Sequence, residues 1–359
     1  MKILYAIQGT GNGHVICARD IIPLLQKRGS VDILISGTQS DIDLPYPIKY
    51  RLHGLGFVFG KNGGIDYKET YRQTNIKRFL YEIKSLPVWD YDVVISDFEP
   101  VSAWACRIKG KASVGLSHQI AVTNNQSPQP PKMDLLGKSV LNFYAPASLK
   151  FGYHFLPYNT HIFSPVIRKE IRSVSKKNDG HYSVYLPAYS AELIIKILTF
   201  FPSIHWHIFS KDCMEEYNVG NIRIRPIQNE AFIKSMAASE GVLCGAGFQT
   251  PAEVLFLNKK LMVVPMRGQY EQQCNAAALE KLGVPILKNL KFRQVEKIKK
   301  WIENETVLSI SFPDETQELV NTVLAAATSI SSFNDSEKDK CYTLKKRISR
   351  KIFQLKLNN

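Results

Sequence analysis

The stretch from Val242 to Val284 places two strand-to-helix junctions one strand apart, and that arrangement narrows the fold more than any other feature of the chain. The first junction runs from an apolar strand (Gly241 to Cys244) through Gly245, Ala246 and Gly247 into a helix opened by Thr250, with Pro251 in its first turn and Glu253 just inside it. A helix start of this kind attracts anions, because its unpaired N–H groups and positive dipole end face the loop. The glycines let a diphosphate approach the backbone. The second junction runs from the strand Leu261 to Val264 through Pro265 and a polar loop carrying Arg267, Gln269, Glu271 and Gln272 into a helix from about Asn275. Those polar side chains suit a sugar's hydroxyls. Strand and helix in strict alternation imply a parallel sheet covered on both faces.

The rest of the chain keeps that alternation. Strands are expected at Lys2 to Ile7, Val31 to Ser36, Ile48 to Leu52, Val93 to Ser96 and Val114 to Ser117. Helices are expected at His14 to Lys27, Tyr67 to Ser85, through Trp104, and at Leu135 to Leu149. On the second of these Tyr71, Ile76, Phe79, Leu80 and Ile83 form the apolar face. The alternation restarts with strand Ser183 to Leu186, helix Glu192 to Phe200 and strand His205 to Phe209. A chain of 359 residues suits two domains. We divide it at 1–165, 180–335 and a basic tail at 336–359, the crossing lying near Phe163 to Asp179. Ligands of such sheets bind beyond the carboxyl ends of the strands, where the two loops fall.

Composition removes several classes of function. The six cysteines are scattered without metal-ligand spacing and read as reduced thiols of a cytoplasmic protein. No apolar run nears 18 residues, so a soluble chain is expected. Lys and Arg number 46 against 32 Asp and Glu, a formal charge of +14 that calls for an anionic partner: phosphorylated substrates, a membrane surface or nucleic acid. Nucleic acid is set aside for want of a recognition helix, zinc framework or aromatic RNA-binding strand.

The two junctions resemble the donor-binding domain of GT-B glycosyltransferases, especially the nucleotide-sugar enzymes related to the lipid II N-acetylglucosaminyltransferase and the UDP-glycosyltransferases. The resemblance rests on Gly245, Gly247, Thr250 and Glu253, then Pro265 and Glu271-Gln272-x-x-Asn275-Ala276. It implies an α/β fold of two Rossmann-like, doubly wound domains facing across a cleft. Gly247 and Thr250 would meet the diphosphate of a UDP-sugar, Glu253 the ribose hydroxyls, and Glu271 and Gln272 the transferred sugar. Gly245, Gln249, Gln269 and Asn275 complete the expected donor side. The chain departs from the family in spreading the usual Gly-Thr or Gly-Ser pair into Gly247-Phe-Gln-Thr250, and in placing Glu271 where Asp or Gln is commoner.

In the first half, strand one ends in Gln8-Gly9-Thr10-Gly11-Asn12-Gly13-His14. A dehydrogenase would carry an acidic residue at the end of strand two, but VDILISGTQ ends in Ser36 and Gly37. In the glycosyltransferases a glycine-rich loop followed by His lies at this place, which makes His14 the candidate general base. An imidazole suits proton removal near neutrality. The plainer alternative is that His14 caps its helix or binds a phosphate passively. Asp97 either fixes the His14 tautomer, as plant-type UDP-glycosyltransferases do with an Asp near this point, or caps the helix through Trp104. His118, followed by Gln119, is the rival base. Gly11, Asn12, Gly13 and His118 are assigned to the acceptor or phosphate side. The glycine- and aromatic-rich stretch from Leu52 resembles the acceptor-side loop of a bacterial and archaeal glycosyltransferase branch, and is read as an acceptor loop or as an ordinary long crossover.

The activity implied is transfer of a hexosyl or N-acetylhexosaminyl group from a UDP-sugar to a hydroxyl of a glycan, lipid or lipid-linked acceptor, with inversion, no resident cofactor and no catalytic metal, helix-end amides stabilising the diphosphate in place of a cation. Alternatives are a nucleotide-sugar epimerase or hydrolase of the same fold, or a non-catalytic sugar-nucleotide-binding protein. The tail carries Leu344, Ile348, Ile352 and Leu355 on one helical stripe beside Lys345, Lys346, Arg347, Arg350 and Lys351, which fits either peripheral attachment to an anionic membrane or a helix packed back on the first domain.

Overall fold

The computed structural model describes residues 1–10, 12–37, 44–56, 72, 74–131 and 134–330. The first half forms a seven-stranded parallel sheet in the order β3-β2-β1-β4-β5-β6-β7. Its strands are β1 (Lys2–Gln8), β2 (Ser30–Ser36), β3 (Ile48–Leu52), β4 (Val93–Asp97), β5 (Val114–Leu116), β6 (Leu149–Tyr153) and β7 (Ile162–Phe163). Ile3 to Ile7 are wholly inaccessible, as a central parallel strand covered on both faces requires. The helices of this half are α1 (Asn12–Gln26), α2 (Ile76–Ser85), α3 (Pro100–Lys109), α4 (His118–Val122) and α5 (Leu135–Phe143).

After α6 (Lys169–Ser173) a second sheet runs β10-β11-β9-β8-β12-β13. It comprises β8 (His181–Tyr185), β9 (His205–Ser210), β10 (Tyr217–Val219), β11 (Ile222–Pro226), β12 (Gly241–Gly245) and β13 (Lys260–Val264). All pairs are parallel except the β10–β11 hairpin at the edge. Its helices are α7 (Ala191–Leu198), α8 (Asn229–Ala238), α9 (Gln249–Phe256), α10 (Tyr270–Lys281) and α11 (Val295–Glu303). A last helix, α12, occupies residues 316–330. Two Rossmann-like sheets in one chain make the GT-B architecture that the sequence implied.

Several boundaries differ from expectation. The helix expected over 135–149 stops at Phe143, because Pro146 removes a donor and disfavours helical geometry at Ala145; Leu149 instead opens β6. The helix expected from Tyr67 is described from Ile76, where the Asn75 side chain accepts from the Arg78 N–H at 2.9 Å. Its buried face is Phe79, Glu82 and Ile83, while Ile76 and Leu80, placed on the apolar face by periodicity, are 56% and 47% exposed. Helix α12 reaches back to the first half. Arg28 Nη2, just after α1, donates to Asn321 Oδ1 at 2.8 Å, and Leu319, Val320, Val323 and Leu324 share a core with Val15, Ala18, Ile21 and Ile22 of α1. The tail from Ser336, Gly11 and most of the acceptor-loop stretch lie outside the described residues.

Candidate active site

The carboxyl ends of the two sheets face one another across a cavity of about 970 Å³ lined from both halves. Four junctions supply its chemistry: β1–α1, β4–α3 and β5–α4 from the first half, and β12–α9 with the start of α10 from the second. The β1–α1 loop passes so close to β2 that a Cβ on Gly9 would meet Ile35 Cγ2 at 2.8 Å and the Ser36 carbonyl at 2.9 Å. That loop delivers Asn12, Gly13 and His14 to the cavity wall.

His14 Nδ1 lies 2.7 Å from Asp97 Oδ1, both side chains being buried. A carboxylate only accepts, so Nδ1 carries the proton and Nε2 the lone pair. Burial disfavours a charged His14, yet the Asp97 carboxylate and its hydrogen bond outweigh burial, with Glu271 assisting, and the imidazole's pKa stands above its ordinary value. Asp97 does not cap α3. Glu99 does, accepting from the N–H groups of Val101 and Ser102 at 2.7 and 2.6 Å, while Ser36 Oγ donates to it at 2.6 Å. Between the two acids Phe98 adopts φ 53°, a conformation costly for a residue with a Cβ, and the turn it makes lets one acid face α1 and the other α3.

The Phe98 ring lies parallel to His14 (6.3 Å, 8°) and stacks on Tyr144 (4.8 Å). His14 stacks on His118 (5.6 Å), and His118 on Phe248 of the second half (4.8 Å, 10°). A column of rings therefore crosses the cleft. Phe248 is the residue that interrupts the expected Gly-Thr pair, and the departure from the family pattern was its signal.

Most of the expected donor-side residues line the cavity and several also brace its walls, while Gly245 and Asn275 lie outside the lining. Gly247, Thr250 and Gln269 line it, and a Cβ on Gly247 would meet nothing within 4 Å. Thr250 is not the cap of α9 but its second residue; Phe248 holds the cap position and makes no side-chain bond to the amide end. Glu253 differs from the open ribose acceptor expected. It is fully buried, with Oε1 and Oε2 each 2.5 Å from Arg168 Nε and Nη2, and Gln249 Nε2 donates to Oε1 at 2.8 Å. Gln249 also donates to the Val166 carbonyl and accepts from Cys17 Sγ, so it fastens α9 to α1 and to the crossing segment. Arg168 and Asn229, bonded at 2.6 Å, line the same end of the cavity and had no sequence signal.

Helix α10 begins at Tyr270, which puts Glu271 and Gln272 in its first turn rather than in a loop. Gln272 Oε1 accepts from the Met266 N–H at 2.9 Å and shapes the β13–α10 loop. Asn275 is inaccessible and donates to the Ala246 carbonyl at 3.3 Å, supporting the β12–α9 loop from behind; a Cβ on Gly245 would lie 3.9 Å from Gln272 Oε1. Glu271 reaches across the cleft: His118 Nε2 is 2.8 Å from its Oε1, and Gln119 Nε2 donates to its Oε2 at 3.2 Å. Burial works against its charge, but His118, then His14 and Gln119, hold the carboxyl below its ordinary range.

Among the described residues no group of three or more His, Cys, Asp or Glu side chains is placed to hold a metal ion, and no helix is long and apolar enough to cross a membrane. No curated protein matches the chain in sequence. Solved structures of like fold include MurG of Acinetobacter baumannii, at 15% identity over 90% of this chain and 99% of that one, TM-score 0.54. A UDP-glucosyltransferase from Polygonum tinctorium follows at 13% identity over 92% and 94%, TM-score 0.55, and the glycosyltransferase VinC, solved with dTDP, at 9% over 92% and 100%, TM-score 0.53. Identities this low speak to fold alone. The sequence model of glycosyl transferase family 1 matches residues 1–304, which take in both sheets and every cavity residue described above, and the chain is accordingly a GT-B glycosyltransferase belonging to that family.

Proposed function

We propose that the protein transfers a hexosyl or N-acetylhexosaminyl group from a UDP-sugar to a hydroxyl of a glycan, lipid or lipid-linked acceptor, with inversion and without a resident cofactor. The observation that carries this reading is the buried His14–Asp97 pair facing the amide end of α9 across one cavity. The acceptor hydroxyl donates to His14 Nε2 and attacks the anomeric carbon from the side opposite the diphosphate. The carbon–oxygen bond to the diphosphate breaks, the proton stays on His14, and Asp97 stabilises the imidazolium. Amides at the start of α9, with Gly247 and Thr250, take the leaving charge. Arg168 and Asn229 stand at the ribose end, with Glu253 holding the guanidinium in place. Thermal shifts with a panel of UDP- and dTDP-sugars test the donor: a ligand at 100 times its dissociation constant adds about 2.7 kcal/mol. A shift with dTDP-sugars only would replace the nucleotide, and no shift with any sugar nucleotide would remove the donor assignment.

A membrane-borne acceptor on the cytoplasmic side belongs to the same proposal, and support for it among the described residues comes from α2 rather than the tail. Ile76, Leu80 and Tyr81 of α2, Trp89 beyond its end and Ile108 of α3 are exposed, beside the exposed cations Lys77, Arg78, Lys84 and Arg107. On its buried side Glu82 accepts from the N–H groups of His53 and Gly54, both at 2.9 Å, and the Leu55 carbonyl accepts from Gln8 and Tyr144 at the cavity. One helix thus presents apolar and basic groups outward and holds the rim of the cleft inward, a combination that suits an anionic lipid surface. Sedimentation with anionic vesicles decides the matter. Leu80→Glu with Tyr81→Glu should abolish binding, whereas loss on truncation after Ser336 alone would assign it to the tail.

A further inference from the structure

Gln119 occupies the one position on His14 that an acceptor hydroxyl needs. It sits on α4, is 3% exposed and lines the cavity. Its Nε2 lies 3.0 Å from His14 Nε2 and 3.2 Å from Glu271 Oε2. Because Asp97 fixes the proton on His14 Nδ1, the Nε2 lone pair is the acceptor of that first bond, and the Gln119 amide nitrogen spends one hydrogen on each partner. Its Oε1 is buried and has no hydrogen-bond partner among the described residues, an expensive state for a carbonyl oxygen unless another state of the site satisfies it.

We propose that Gln119 is an acceptor gate: its carboxamide covers the His14 lone pair while no acceptor is bound and yields it to the acceptor hydroxyl, with Glu271 holding it in the covering position from across the cleft. The inference rests on His14 being the base. When an acceptor arrives, its O–H takes the lone pair, and its oxygen accepts from the Gln119 nitrogen that has been displaced. Once His14 has taken the proton, its Nε2–H needs an acceptor, and the unpartnered Oε1 can serve after the carboxamide turns about its terminal bond. The same side chain thereby satisfies both charge states of the imidazole. Glu271 makes the gate sensitive to the donor side, because the bond that steadies Gln119 comes from the first turn of α10, on the donor half of the cleft.

The gate's use is to keep water from reacting. Ungated, a water molecule gives its proton to His14 Nε2, its oxygen bonds to the anomeric carbon, and the carbon–oxygen bond to the diphosphate breaks with its electron pair leaving on UDP, so the donor is hydrolysed without transfer. Two readings on the full chain test this, in wild type, Gln119→Leu and Gln119→Glu: the titration of ¹⁵N-labelled His14 by NMR, and release of UDP from UDP-glucose and UDP-N-acetylglucosamine with no acceptor present. Loss of a donor to the neutral imidazole should move the His14 midpoint upward in Gln119→Leu, and acceptor-free UDP release should rise by about fivefold or more, the equivalent of one hydrogen bond. A His14 midpoint unchanged in both variants overturns the gate, as does UDP release that stays at the wild-type level while the midpoint moves. Failure of the base assignment looks different: His14→Ala would then retain transfer whatever Gln119 does.

Discussion

The structure holds two stacked pairs of imidazoles, and they are prepared for opposite purposes. In the cleft His14 and His118 lie 5.6 Å apart with carboxylates at their outer nitrogens, Asp97 on one and Glu271 on the other. At the amino end of β8, His181 and His207 lie 4.0 Å apart, and their hydrogen-bond partners are the hydroxyl and carbonyl of Ser235. Burial pushes His207 down to about 4, with His181, Arg225 and Arg223 adding to it, and burial likewise lowers His181. His14, more deeply buried than His207, is nevertheless raised. Stacking therefore does not set the charge of an imidazole; the group at its hydrogen-bonding edge does. His14 stands ready to receive a proton, whereas the His181–His207 pair is built to refuse one.

The comparison breaks most readily in turnover. His14→Ala should cost two to four powers of ten, roughly the contribution of a general base, while His207→Asn should leave the rate of transfer unchanged. Comparable losses from both in a steady-state assay would mean that the cleft pair has no special role. Next comes stability. Since Glu253 is fully buried against Arg168, Glu253→Ala strands a buried guanidinium and should cost about 3–5 kcal/mol in denaturant unfolding. By contrast Ser235→Ala, at the sheet's other end, should cost about 1 kcal/mol.

The pH dependence sharpens the contrast because its sign differs between His14 and His207. An unfolded histidine binds its proton near 6.5, whereas folded His207 refuses it until about 4, so over that window the unfolded chain holds more protons. Stability from the β8–β9 pair is full above pH 6.5 and drains as the pH falls toward 4; unfolding midpoints for His207→Asn should show a shallower acid-side slope. His14 runs the other way: its pairing with Asp97 stabilises the fold at low pH and loses that contribution as pH rises through its raised pKa. The smallest effect is a displacement of the rate profile. Asp97→Asn removes the principal upward influence on His14, and the acid limb of kcat should move to lower pH, beyond whatever rate is lost; a limb that stays in place would assign it to another group.

Much of the architecture was legible because it is local. Apolar strands, glycine turns and a proline in the first turn of α9 are read within a few residues of one another, and the family pattern fixed which two loops to watch. What stayed hidden was long-range pairing. Arg168 and Glu253 are 85 residues apart, and nothing around either residue announces the other. Asp97 and Glu99 are each acceptable helix caps, so only the turn at Phe98 decides which acid faces His14. Glu271 looked like a sugar ligand because its neighbours are polar; that it crosses the cleft to His118 and Gln119 depends on how the two sheets are docked. The apolar periodicity of α2 likewise could not reveal that Ile76 and Leu80 turn outward, since the same stripe serves a core or a surface partner equally well.

The return of α12 to α1 also orders events during synthesis. Helix α1 leaves the ribosome early, but the residues that complete its hydrophobic cover, Leu319 to Leu324, are nearly 300 positions further on. At about 5–20 residues per second that interval is on the order of 15–60 s, during which the second sheet can be finished while the first still shows an open apolar flank. The half that begins the chain is thus the last to be sealed, and nascent chains arrested before residue 316 should engage chaperones through α1.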